Sequence, residues 1–166
     1  MTTQKILALP EAAVTFKHSD ATYTLQLDGL ANGVGRISKQ WDRGTGAKPV
    51  MYRVRCSFAF EATHTVVVGT TVPVYIATSD GTNIDGTVGA IDAALTAVQC
   101  NNLVMIGQVI VDVVAKDTKI TATFDLMIYD RYVSVGVMNN TADHMADGDL
   151  CTISFTPYTD EIQAAA

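Results

Sequence analysis

Charge is scarce in this chain: only 17% of its 166 residues are Asp, Glu, Lys or Arg, and the formal balance is -6. No basic cluster is available to track a phosphate backbone, because Arg53 and Arg55 stand alone on an alternating run. A nucleic-acid footprint is therefore missing, and the acidic balance repels anionic lipid as well. Long apolar runs are also lacking. The longest, residues 103–115, is broken by Gly107, Gln108 and Asp112, short of the roughly 18–20 residues of a membrane helix. The opening Met1-Thr2-Thr3-Gln4-Lys5 has no apolar export core, so the expectation is a protein made in a cytoplasm. Cysteines number three, Cys56, Cys100 and Cys151, and none has the short spacing of a zinc knuckle or redox pair. Cys56 and Cys151 fall in strand patterns and read as buried apolar thiols. Aromatics make up 7% of the chain, with Trp41 the one tryptophan.

What is present is alternation. Tyr52, Val54, Cys56, Phe58 and Phe60 alternate with Arg53, Arg55 and Ser57, the signature of a half-buried strand. Ile120, Ala122, Phe124, Leu126 and Ile128 repeat it against Thr121, Thr123 and Asp125. Val133, Val135 and Val137 do so against Ser134 and Gly136, and Tyr23, Leu25 and Leu27 against Thr24 and Gln26. Residues 71–78 read as a strand whose Pro73 fits an edge or a strand start. Residues 103–115 read as one strand bent near Gly107 or as two short ones. A strand over 150–156 is expected to end at Pro157. Asp28-Gly29, Asn32-Gly33, Gly44-Thr45-Gly46 and Ser79-Asp80-Gly81 supply turns. Residues 86–102 fit either a helix or a long loop with one helical turn.

Roughly eight strands with Gly-rich turns predict an all-β antiparallel sandwich of jelly-roll type. A chain of this length buries roughly 70% of its unfolded surface and needs no disulfide staples. Residues 1–20 are expected to be an N-terminal arm and 21–166 a single sandwich domain. The mean hydropathy of +0.22 beside so little charge fits two readings. One is a Val- and Ala-rich β core, the other apolar surface covered by neighbours.

Chemistry-bearing patterns are sparse. His18, His64 and His144 are scattered and lack helical zinc spacing. Asp80, Asn83 and Asp85 offer oxygen ligands, but in turn residues and without EF-hand spacing. Asp143, Asp147 and Asp149 surround His144 in what reads as a solvated turn, a poor frame for paired acid–base groups. No Gly-x-Ser-x-Gly elbow occurs. Gly33-Val34-Gly35-Arg36 lacks the Lys-Ser/Thr end of a phosphate loop. Asn139-Asn140-Thr141 matches a glycosylation sequon only by spacing. No catalytic residue, cofactor or metal site is assigned.

One series of words in the chain is distinctive. It runs from the strand-like 22–30 through 36–46 and 52–60 to Val72-Pro73-Val74-Tyr75-Ile76-Ala77-Thr78-Ser79-Asp80-Gly81. Asn102-Leu103-Val104-Met105-Ile106-Gly107 and Arg131-Tyr132-Val133-Ser134 follow, and Thr156-Pro157-Tyr158-Thr159-Asp160-Glu161-Ile162-Gln163 ends it. This order resembles virion structural proteins of tailed bacteriophages, above all jelly-roll proteins that decorate or cement the head. The resemblance implies a non-enzymatic homo-oligomer, expected to be a homotrimer, on the head surface of the virion, with the major capsid protein as partner. Neither nucleic acid nor a membrane is an expected partner. Ile6, Leu7, Leu9 and Val14 are the candidate residues of an arm ordered by a neighbour, and Trp41 and Arg43 the candidate exposed-loop contact. A tail or baseplate component is an alternative. A carbohydrate-binding jelly roll is another, with Trp41, Asp42 and Arg43 as its test.

Overall fold

The alternating runs become strands because each finds a neighbour on either side. The computed structural model describes residues 5–10, 12–46, 48–61, 66–79, 92–112 and 118–163, with the backbone alone for 5–10 and 159–163. Its strands are β1 (Lys5–Pro10), β2 (Val14–Phe16), β3 (Gly35–Ile37), β4 (Trp41–Asp42), β5 (Met51–Phe58) and β6 (Thr71–Ser79). There follow β7 (Ala93–Leu95), the single helical turn α1 (Ala97–Cys100), β8 (Val104–Ile110), β9 (Ile120–Met127), β10 (Tyr132–Met138) and β11 (Thr152–Gln163).

Two antiparallel sheets result. The first runs β1-β11-β5-β9, with β2 also on β11; the second runs β7-β3-β10-β6-β8, with β4 on β10. Setting aside β1, β4 and β7, the order β2-β11-β5-β9 faces β3-β10-β6-β8. That is the strand order of a jelly roll, so the predicted fold is the observed one. Inward residues of both sheets make one core, with Val54, Cys56, Phe58, Ile153 and Phe155 from one side and Val72, Val74, Val133, Val135 and Val137 from the other. Outside the second sheet, Ile37, Ala77 and Met138 meet Leu95 and Cys100 in a smaller cluster. A capping box holds α1 there: Gln99 N–H donates to Thr96 Oγ1 at 3.3 Å, and Thr96 N–H to Gln99 Oε1 at 2.7 Å.

Four details differ from expectation. Residues 22–30 form no strand. Leu25 and Leu27 are buried, so alternation reported burial, but the backbone spends its bonds on Lys17, Lys39 and local turns rather than on a ladder. Pro157 does not end β11. It lies opposite the gap between β2 and β1, a place where a residue without an N–H is tolerated. Ala93–Leu95, a run of fair helix propensity, is strand β7 because β3 offers it an edge. The expected arm boundary at residue 20 also moves. Phe16 is fully buried and Val14 packs against the core, so the sandwich already includes β2. Pro73 meets its expectation only in part: it is the third residue of β6 and pairs with Gln108 of β8, and only towards β10, whose ladder begins at Val74, does it precede the pairing.

Candidate functional site

Trp41 and Arg43, read as an exposed-loop contact, are interior residues, each only 7% exposed. The cause is β4: its pairing with Tyr132 and Val133 at the end of β10 draws this stretch into the sandwich. Trp41 stands edge-on to Tyr52 at 5.7 Å and packs beside Phe16 and Phe155. Such pairs add about 0.5–1.5 kcal/mol each beyond their buried area. Arg43 is satisfied internally. Its Nε donates to the Tyr52 hydroxyl at 3.1 Å, Nη1 to the Asp130 carbonyl at 2.5 Å, and Nη2 to the Pro49 carbonyl. The site therefore holds a loop closed and presents no aromatic platform.

The turn at 143–149 is solvated only in part, at Asp147 and Gly148, and the stretch leading into it is largely interior. Asn139, Thr141, Asp143 and Met145 are all buried. Both amide hydrogens of Asn139 are committed, to the carbonyls of Leu30 and Asp143 at 2.7 Å each, while its Oδ1 accepts the Thr141 hydroxyl at 2.6 Å. An asparagine so used offers nothing to a glycan, which removes the apparent sequon. Met145 locks the loop into the sandwich end by exchanging backbone bonds with Leu30 and Gly29 at 3.1 Å. The carboxylates near this end are structural too. Asp149, at φ 61°, accepts Ser19 N–H at 2.8 Å and Lys17 Nζ at 3.1 Å. The Ser19 hydroxyl, its N–H and Lys17 together hold the Asp149 carboxyl down at about 2. Across the molecule, Arg131 grips Asp42 with bonds of 2.7 and 2.6 Å and also lowers that carboxyl to about 2.

The arm candidates divide. Val14 belongs to the core edge, as above, whereas Ile6, Leu7 and Leu9 lie on β1. β1 pairs with the far half of β11, from Lys5 opposite Gln163 to Pro10 opposite Tyr158. β5 reaches β11 only as far as Met51 opposite Tyr158. Among the described residues, 159–163 thus have β1 as their one strand partner, and the two segments form a two-stranded ribbon running past the end of β5. The sequence singles out Ile6, Leu7 and Leu9 as arm residues but signals neither half of this ribbon as a strand, and Pro157 hid the continuation of β11. Asp160 and Glu161 also weakened the apolar alternation.

The first sheet's outer face is polar. Arg53 pairs with Asp125 at 3.2 Å and lies over the Tyr158 ring at 5.8 Å, and Thr15 bonds Ser154 at 2.8 Å. Among the described residues no group of three or more His, Cys, Asp or Glu is placed to hold a metal. Asp80, Asn83, Asp85 and His64 lie outside those residues. The described residues thus form a sandwich with a strand ribbon at one end. Comparison with known protein families and with curated proteins returns no match for this chain.

Proposed function

We propose that this is a non-enzymatic virion structural protein of a tailed bacteriophage, a decoration or cement protein that binds the head surface as a homo-oligomer and stabilises the shell. The series of sequence words given above supplies the class. The structural observation that carries the reading is the β1–β11 ribbon, built from both terminal segments and outrunning the sheet. An isolated two-stranded ribbon is marginal in water, so a neighbouring subunit is its natural support. An oligomer engages several capsid subunits at once, and linked weak contacts raise avidity without any single strong bond. Because it binds the assembled shell and not the dissociated one, it shifts the balance towards the shell. The carbohydrate alternative loses its platform, since Trp41 is enclosed by Phe16, Tyr52 and Phe155.

Gold-labelled antibody against the protein, imaged on particles of the source phage, tests the reading. Regular label over the heads is expected, with heads lacking the protein bursting at lower temperature. Label on the tail would move the protein to the tail or baseplate alternative. Bare particles would overturn the virion assignment.

A further inference from the structure

Among the described residues every arginine but one has an acceptor. Arg36 meets Asp92, Arg43 the carbonyls of Asp130 and Pro49, Arg53 Asp125, and Arg131 Asp42. Acids outnumber bases 17 to 11 in this chain, yet Arg55 is exposed and none of the described acids is bonded to it. Arg55 stands at the middle of the first sheet's outer face, because its neighbours Val54 and Cys56 point into the core. Across the ladders it lies beside Ser154 on β11 and Thr123 on β9, and Thr15 of β2 follows beyond Ser154. The adjoining rows read Thr156, Arg53 and Asp125 on one side, and Thr152, Ser57 and Thr121 on the other. An unpaired guanidinium is thus set in a field of hydroxyls.

Shape and charge together say what such a face takes. Strands about 4.8 Å apart, with same-face residues about 7 Å apart along each, make a shallow grid and not a cleft that encloses a small molecule. β5 and β11 are paired on both sides along these rows, so contact is by side chains and not by an added strand. Hydroxyls both donate and accept, which suits the neutral polar groups of another protein surface. Arg55 adds one positive charge whose planar fork matches a carboxylate. Arg53 is already bonded to Asp125 at 3.2 Å, and Asp130 is exposed beyond the end of β9, so the cationic zone is confined to the centre. A phosphate backbone or a sulfated glycan needs a track of cations and meets the repulsion of a chain of net charge -6. An isolated carboxylate meets only the local field, since charges more than about 10 Å away are largely screened at 0.1 M salt.

We infer that the outer face of the first sheet, centred on Arg55, is the surface that meets the partner protein, and that Arg55 there takes an isolated carboxylate among neutral polar groups. The inference deepens the proposed function by naming the face turned to the shell, and it rests on that reading. Heads of the source phage freed of the protein, mixed with the full chain and pelleted, test it. Arg55→Glu is expected to weaken binding about tenfold with an unchanged far-ultraviolet circular dichroism spectrum. Arg55→Gln is expected to show a smaller loss and a shallower dependence of binding on salt. Lys48→Gln removes an exposed cation from the loop before β5 and is expected to bind as the unaltered protein does. Binding by Arg55→Glu equal to that of the unaltered protein overturns the face, as does an equal loss in Lys48→Gln.

Should Arg55→Glu fail to fold, Arg55→Gln decides alone, and an unchanged salt dependence in it overturns the face. Two further measurements on the same proteins separate other occupants. An oligomer seen by sedimentation velocity that Arg55→Glu dissociates would assign the face to a second copy and overturn the shell contact. Capture of the unaltered protein, but not of Arg55→Gln, on immobilised heparin would assign it to a sulfated polyanion and overturn the carboxylate. The two readings fail differently. Equal binding of heads by the unaltered protein and Arg55→Glu defeats the face and leaves decoration standing, whereas an unaltered protein that does not bind heads defeats decoration and the inference with it.

Discussion

Gly35 is a tight point of the second sheet. A β-carbon there would lie 2.7 Å from the Leu95 carbonyl oxygen and 2.9 Å from that of Val137, and backbone atoms of paired strands have nowhere to go. Gly35→Ala is expected to cost about 1–3 kcal/mol, read from the urea midpoint. Arg43 is a second sensitive residue. Arg43→Met leaves the Asp130 and Pro49 carbonyls without their donor, for an expected loss of about 1–3 kcal/mol per unsatisfied group. Arg43→Lys should restore only part of it, since an ammonium cannot reach three separate acceptors as a planar fork does. Acid sensitivity follows from Asp42 and Asp149. Both carboxyls stand near 2 in the folded protein against an ordinary 3.8. Their contribution is thus present above about pH 4 and disappears as pH falls from about 4 to about 2, because the unfolded chain takes up protons first. Denaturant midpoints measured down that range should fall, and Asp149→Asn should flatten the fall. Of these residues, sequence reading had placed Arg43 on the surface. Its burial depends on acceptors from Pro49, Tyr52 and Asp130, and the Asp130 carbonyl is far along the chain.

At the scale of elements, the alternation of apolar residues located β5, β9 and β10 well, because both faces of each have distinct surroundings and the period of two records them. The same signal misled at residues 22–30, where Leu25 and Leu27 are buried but pairing among the described residues is limited to one isolated bridge between Lys17 and Thr24. It fell short at β11, where pairing with β1 carries the strand beyond Pro157. The revised arm boundary has a direct consequence. Deleting residues 1–11 should leave cooperative unfolding intact and weaken binding to heads. Phe16→Ala, inside the formerly assigned arm, should cost about 3–5 kcal/mol, because that ring fills core space against Trp41 and Phe155. Equal midpoints for both variants, measured by chemical denaturation, would show that β2 does not belong to the sandwich.

For the whole molecule, the arrangement of thiols gives a simple check. Burial pushes Cys56 up to about 12 and Cys151 to about 11, and Cys100 is raised as well. The native protein at pH 8 should release no colour with a thiol-exchange reagent over minutes, and all three cysteines should react once it is unfolded. Buried apolar thiols were legible at Cys56 and Cys151 from their strand patterns but not at Cys100, which lies in α1; the all-β class and the jelly-roll expectation were legible too, because composition and period two depend on each residue's own neighbours in the chain. Tertiary structure alone decided which strands are edges. That choice left Val104, Met105 and Met127 exposed while enclosing Trp41, and it joined the two terminal segments in one ribbon. The reason is physical: alternation tells a residue which face it occupies, but only the order of strands in the two sheets determines whether that face is covered.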